Sequence, residues 1–226
     1  MPLLGQAAML LSFDVAPEAI VEHDDWHTHE HLPERLSIPG FLRGTRWVAV
    51  HGQPRYMVLY EVAQLATLNS DAYLQRLNNP TPWTSKIMPH YRGMTRGLCS
   101  VTGSFGLGVG HVGLLLCLKP QASSDAEMRS WLVEDTLPQL PSKTGLGSVH
   151  LLEGALRPPM TNEQLIRGAD AGVDWAIFVT GYDQDAITQL ADGDLSAARL
   201  AQHGTTEIQI ATYRMDYSLS HHEFTA

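Results

Sequence analysis

The segment Asp25-Trp26-His27-Thr28-His29-Glu30-His31-Leu32-Pro33-Glu34-Arg35, continuing through Ile38-Pro39-Gly40-Phe41, recurs in outline 105 positions later. In that register Trp26 falls on Trp131, Leu32-Pro33 on Leu137-Pro138, Gly40 on Gly145, and upstream Leu10-Leu11 on Leu115-Leu116. Coincidence of a Trp, a Leu-Pro pair and a Gly in one frame marks an internal repeat, and a repeat decides the fold before any single element does.

Working outward, each half has the same order of patterns. Ala8 to Val15 is a short apolar run ending before Pro17, as a buried strand would be. Residues 17–36 lack alternation and predict the first helix, with Pro17 in its first turn. Residues 40–51 and 55–62 are rich in β-branched and aromatic residues and flank Gly52-Gln53-Pro54, which predicts a hairpin. Residues 64–77 return to helical spacing. The Pro-rich stretch Asn79-Pro80-Thr81-Pro82-Trp83 follows, and then residues 94–105 as a long strand candidate. The second half repeats this as strand 111–118, helix 124–140, strands 146–156 and 173–182, helix 184–202 and strand 205–218.

The predicted organisation is a first repeat over 1–105, a Gly-rich linker over 106–110, and a second, degenerate repeat over 111–226. Each β-α-β-β-α-β unit puts both helices on one face of its sheet and leaves the other face apolar and uncovered. Two such faces bury each other, which predicts an α+β fold closed as an intrachain barrel. The loop from Arg157 to Gly172 is long for a hairpin connection, is predicted to contain a short helix over 162–167, and is a candidate cap for a pocket. Residues 218–226 read as a loose tail.

Composition excludes several function classes. Lys and Arg number 15 against 24 Asp and Glu, a net charge of −9, with no basic run suited to a nucleic-acid backbone. The two cysteines, Cys99 and Cys117, sit in apolar runs and are expected as free, buried thiols in a reducing compartment. The N-terminal stretch has no positively charged leader pattern and no apolar run reaches the length of a membrane span, so a cytoplasmic location without a membrane partner is expected.

The repeat also separates scaffold from chemistry. The first half has His27, His29, Glu30 and His31 where the second has Leu132, Glu134, Asp135 and Thr136. That asymmetry favours one functional pocket in the first half, although duplicated halves can also drift apart at surface positions. At about 100° per residue, Val21, Thr28, Leu32 and Leu36 form the predicted buried stripe. His31 then lies at one edge near Asp24 and Arg35, His29 at the other, and His27 points away. An imidazole at a helix–sheet edge suits general acid–base work. The ordinary alternative is a ring that simply bonds a backbone group or a carboxylate.

A metal site is disfavoured. On a helix only His27 and His31 have the i, i+4 spacing of metal ligands, and a third ligand would have to come from afar, such as His90. Neither a Gly-x-Ser-x-Gly elbow nor a dinucleotide fingerprint is present. No metal and no cofactor are expected. Arg43 and Arg46 lie an odd number of positions apart on one strand and so face opposite sides, either being able to hold a carboxylate or phenolate. Trp26, Tyr60, Trp83, His90 and Tyr91 are candidate walls, with core packing as the ordinary reading of each.

The motif Trp26-x-x-x-Glu30-His31-x-Pro33-Glu34-Arg35, followed by Ile38-Pro39-Gly40-Phe41 and Arg46, resembles the signature of the EthD-like branch of the dimeric α+β barrel superfamily. The segment from Asn79 to Thr84 is similar to one common in its uncharacterised bacterial members. The likeness spans about residues 8–105, and in the second half only the scaffold pattern persists. The resemblance implies ferredoxin-like repeats and small-molecule enzymes that often need no cofactor, among them isomerases, cyclases, monooxygenases and degradation accessories. His31 falls on the motif histidine, while His27 and His29 occupy variable positions. The resulting expectation is a catabolic enzyme acting on an aromatic or lactone-like metabolite. His31 is its general acid/base, supported by His29 and Glu30. Trp26, Arg43, Arg46, Tyr60, Trp83 and His90 bind substrate. Two other readings stand beside it: a non-catalytic binding or accessory protein for a hydrophobic metabolite, and a structural partner of an oxidase or oxygenase. Association into a homodimer is left open. On this reading, His31→Ala removes turnover and leaves the melting temperature nearly unchanged.

Overall fold

A computed structural model describes residues 2–156 and 160–224. Strands β1 (Ala7–Val15), β2 (Phe41–His51), β3 (Tyr56–Val62) and β4 (Tyr91–Gly106) pair antiparallel in the order β4-β1-β3-β2. In the second half β5 (Val112–Pro120), β6 (Leu146–Leu156), β8 (Trp175–Gly181) and β9 (Thr205–Ser220) pair as β9-β5-β8-β6, the same topology. The seams β2–β9 and β4–β6 close the two sheets into an eight-stranded antiparallel barrel, and the short β7 (Ala171–Gly172) adds in parallel to β4.

The inner strands β1, β3, β5 and β8 are buried on both faces, so they read as near-continuous apolar runs. The period-two alternation divides them between layers. On β1, Ala7, Met9, Leu11 and Phe13 face the helices of the first half, whereas Ala8 and Leu10 face the barrel interior. The interior is shared by the halves. Leu10, Trp47 and Met57 meet Leu115, Phe178 and Tyr213, with the Trp47 and Phe178 rings edge to face at 5.1 Å. A separate helix–sheet core serves the second half.

The predicted first helix is three pieces end to end: α1 (Ile20–Trp26), a π-helical segment (His27–His31) and α2 (Leu32–Leu36), after a 3-10 turn at Pro17–Ala19. This corrects the predicted stripe. Leu32 and Leu36 are fully buried, but Val21 is 78% exposed and Thr28 only half-buried. The reason is the wide turn, which inserts an extra residue and shifts the phase of everything upstream. A second π segment (Trp131–Thr136) follows α5 (Asp125–Ser130) at the matched place in the second half, and Gly40 and Gly145 both hold positive φ, 92° and 89°.

Other elements refine the predictions. Residues 64–77 divide into a 3-10 turn (Leu65–Asn69) and α3 (Asp71–Asn78), because the Ser70 hydroxyl caps a new helix by accepting from the Tyr73 amide. The Pro-rich stretch, which carries no predicted element, leads into a helix. Thr81 caps α4 (Pro82–Ile87), with Pro82 in the first turn where its missing N–H costs nothing, and β4 starts at Tyr91. Residues 184–202 form two helices, α7 (Gln184–Gln189) and α8 (Ala197–Gln202). The expected loose tail is ordered through residue 224. Ser218 and Ser220 pair with Thr45 and Arg43 on β2, and α9 (His221–Phe224) docks through His221 Nδ1 at 2.9 Å from the Leu36 carbonyl. Within the 157–172 connection α6 (Asn162–Arg167) is present as predicted, while residues 157–159 lie outside the described ones. No helix among the described residues is long and apolar enough to cross a membrane. Cys99 and Cys117 are free thiols against the barrel interior, and burial pushes them up to about 12 and about 11.

Candidate active site

Along residues 20–36 the inward positions recur every four residues, which would drift by about 40° per step in a regular helix. The π segment takes up part of that drift, and His23, His27 and His31 all enter the core, at 0%, 1% and 6% exposure. The prediction that His27 points away is therefore wrong. Adjacent rings in this series have centroids 5.6 Å apart, and no cluster of three metal-type ligands occurs among the described residues.

Their partners differ. His23 bonds Asp24 through Nδ1 (3.0 Å) and the Tyr91 hydroxyl through Nε2 (3.2 Å). At His27 the Arg46 guanidinium donates to Nδ1 (3.3 Å), which places the ring proton on Nε2, 3.4 Å from the Tyr60 hydroxyl. His31 Nδ1 is buried and has no hydrogen-bond partner, while the Trp26 ring covers the imidazole with centroids 4.3 Å apart. Burial lowers the pKa of all three. His27 and His31 lie well below 6.5, helped by the positive charge of neighbouring His and Arg groups, including Arg35. At neutral pH both rings are uncharged, and His31 retains an unused buried nitrogen.

His27 and His31 line a cavity between the helices and the outer face of β1 and β4. Met9, Leu11 and Phe13 form its apolar floor, and its volume of about 20 Å³ suits a single water molecule. Its rim carries Arg35, Arg96, Glu163 and Arg167. The Arg35 guanidinium donates to Glu163 at 2.5 Å and to Glu34 at 3.0 Å. Asp170 receives Arg96 at 3.0 Å and both arms of Arg167 at 3.1 and 2.8 Å. Tyr91 joins the wall, its hydroxyl held neutral by burial far above its ordinary pKa.

Of the predicted site residues, His31 lines the cavity, and Trp26 packs on the His31 ring without lining it. His29 is exposed and directed outward. Glu30 is occupied with scaffolding: its carboxylate accepts from Trp26 Nε1 (3.1 Å) and Thr81 Oγ1 (2.5 Å), tying the helix to the start of α4. Arg46 and Tyr60 meet His27 rather than His31. Arg43 takes the opposite face, as its odd spacing from Arg46 requires, and bonds Glu61 (2.6 Å) at the mouth of the barrel interior. Trp83 donates to Glu22 (3.2 Å), and His90 is half-buried outside the cavity lining. Sequence reasoning missed His23, Arg96, Glu163 and Arg167. The four-residue spacing from His23 through His31 was a usable signal for the first. The others come from β4 and α6 and had none.

No family model matches the sequence, and no curated protein matches it. Solved structures do match in fold. An anthrone oxidase-like protein superposes with a TM-score of 0.66 at 11% identity, over 98% of this chain and 96% of its own. A monooxygenase-assigned protein from Fusobacterium nucleatum subsp. nucleatum gives 0.63 at 8% identity, over 96% of each chain. A mutant chlorite dismutase from Candidatus Nitrospira defluvii gives 0.58 at 12%, over 95% and 94%. These likenesses place the chain among α+β barrel proteins of the ferredoxin-like type.

Proposed function

We propose that this chain is a small-molecule enzyme that removes an acidic proton from an aromatic or lactone-like substrate, with His31 as the general base. The observation that carries the reading is the buried, unpartnered Nδ1 of a neutral imidazole at a cavity rimmed by three guanidinium groups. A neutral base accepts the proton without first losing one, and the guanidiniums stabilise the enolate or phenolate that remains. Such an anion is the common entry to isomerisation, cyclisation and reaction with dioxygen. The oxidase-like and monooxygenase-type neighbours favour the last of these. The chemistry needs no cofactor at the proton-transfer step.

We further propose that the chain arose by tandem duplication of an EthD-like half, with the site kept in residues 1–105 and lost from 111–226. Leu132, fully buried, stands where His27 does in the first half, and Thr136 where His31 does.

The test is solvent-exchange catalysis. Purified protein is incubated in D2O with an enolisable aromatic ketone such as anthrone, and loss of the acidic C–H signal is followed by NMR alongside oxygen uptake. Wild type is expected to accelerate exchange, and His31→Gln to slow it about 10²- to 10⁴-fold. Gln is chosen because the ring is buried against Trp26, so Ala would leave a void and cost stability, contrary to the sequence-based expectation of an unchanged melting temperature. Undiminished exchange by a folded His31→Gln protein would remove His31 from the role.

A further inference from the structure

Helix α6 is held to the barrel by charge and amide contacts more than by apolar burial. Its large aliphatic side chains, Leu165 and Ile166, are 67% and 37% exposed. Its anchors are Glu163 on Arg35, Asn162 on the side chain and carbonyl of Asn78 at 3.2 and 2.7 Å, and Gln164 and Arg167 on Asp170, which Arg96 of β4 also holds at 3.0 Å. The Glu163–Arg35 pair is almost fully dry, with side-chain exposures of 3% and 1%. A dry ion pair contributes little net stability, because desolvation offsets most of the attraction, yet either charge left alone there is costly. Exchange of one carboxylate for another at Arg35 conserves that balance.

Each guanidinium of the cavity wall is already matched by carboxylate, Arg35 by Glu163 and Glu34, and Arg96 and Arg167 by Asp170, so an added anion must take the place of one of these carboxylates. As it stands it has room for about one water. Any larger occupant must displace part of the wall, and Glu163 belongs to the piece with least apolar attachment. We propose that the cavity is the closed form of a site for an organic monoanion, a carboxylate or phenolate on an apolar ring, which takes the place of Glu163 on Arg35 and lifts α6. The ring then rests on Met9, Leu11 and Phe13, and Glu163 acts as a stand-in for the substrate's own charge. The inference rests on the general-base reading only in placing the acidic proton beside His31.

Calorimetric titration of the full chain with benzoate and with benzamide, its uncharged isostere, tests this at neutral pH. Benzoate is expected to bind at least about tenfold more tightly. Glu163→Gln keeps the size and removes the competing charge, so it should tighten benzoate by about tenfold and leave benzamide within about twofold. Arg35→Met should abolish the preference for benzoate. If the lone Glu163 carboxylate prevents that variant from folding, Arg35→Met combined with Glu163→Leu carries the same expectation. Equal affinities for the two ligands, binding of neither, or a weaker benzoate affinity in Glu163→Gln would overturn the proposal. His31→Gln separates the two readings. A benzoate preference with undiminished proton exchange in that variant sinks the base and spares the anion site. Loss of exchange without any benzoate preference in wild type does the reverse.

Discussion

A histidine buried as the neutral base weakens the fold wherever the unfolded chain can take up the proton that the native state refuses. His23, His27 and His31 are all held below their ordinary value, chiefly by burial, and His150 in the barrel interior is pushed down to about 3 by burial and by Arg43. The sign follows directly. Below about pH 6.5 the unfolded state binds more protons than the native one, so this stability is complete above that pH and is lost as the pH falls toward the folded values. Each site contributes up to about 1.4 kcal/mol per pH unit in that window. Glu34 and Glu61, raised by burial, act with the opposite sign from about pH 4.5 upward, which makes a difference measurement the clean one. His27→Leu copies the residue found at the matched position 132 and removes one such proton. Urea unfolding at about pH 6 and about pH 5 should therefore show the variant losing about 1 kcal/mol less than wild type. With His31 already deprotonated at neutrality, kcat/KM should be flat from about pH 6.5 upward and fall only in acid. A rise through pH 7 would mean a different base.

Among the elements, the π segment at His27–His31 decides which side chains reach the core. Its extra residue brings the imidazoles inward, and deleting one residue there would restore an ordinary helix and turn the upstream part by about 100°. His29 is the residue to use, because it is exposed. His29→Ala is expected to change stability by less than about 0.5 kcal/mol and activity not at all. Deleting His29 should cost more than about 3 kcal/mol, because Trp26, His23 and His27 leave their buried places. Thermal unfolding of the two variants checks this, and equal melting temperatures would deny the wide turn its role. The sequence was legible where periodicity is plain. The strand runs and the helical stretch over 17–36 were legible from the presence and the absence of alternation. It was illegible where one extra residue resets the phase, since Thr28 and His29 carry no mark of a π turn. At α4 the residues for a cap and a first-turn proline, Thr81 and Pro82, were present in the sequence, but the helix is too short for periodicity to reveal it.

At the scale of the molecule, the uncovered apolar face of each predicted sheet was enough to infer closure, because an exposed face of Leu10, Met57 and Leu59 has nowhere else to go. The charged rim of the cavity was not inferable. Arg35, Arg96, Glu163 and Arg167 come from widely separated parts of the chain, and only closure brings residues 35 and 163 together across 128 positions. The same closure makes a prediction about cooperativity. Each half taken alone would leave β2 and β4, or β6 and β9, as unpaired edges, and would leave its share of the interior open to water. Neither half therefore has a stable folded state without its companion, and the chain should unfold in one transition although it contains two repeats of the same topology. Trp47 is the place to perturb: it is 1% exposed, belongs to the first half, and packs its ring edge to face on Phe178 of the second. Trp47→Ala should cost about 3–5 kcal/mol. In native-state hydrogen exchange that loss should lower the protection of β1 and β3 and of β5 and β8 by the same amount, because both pairs open only with the barrel. If β5 and β8 kept wild-type protection while β1 and β3 lost theirs, the halves would be separate folding units, and the barrel would be a docking of two finished domains.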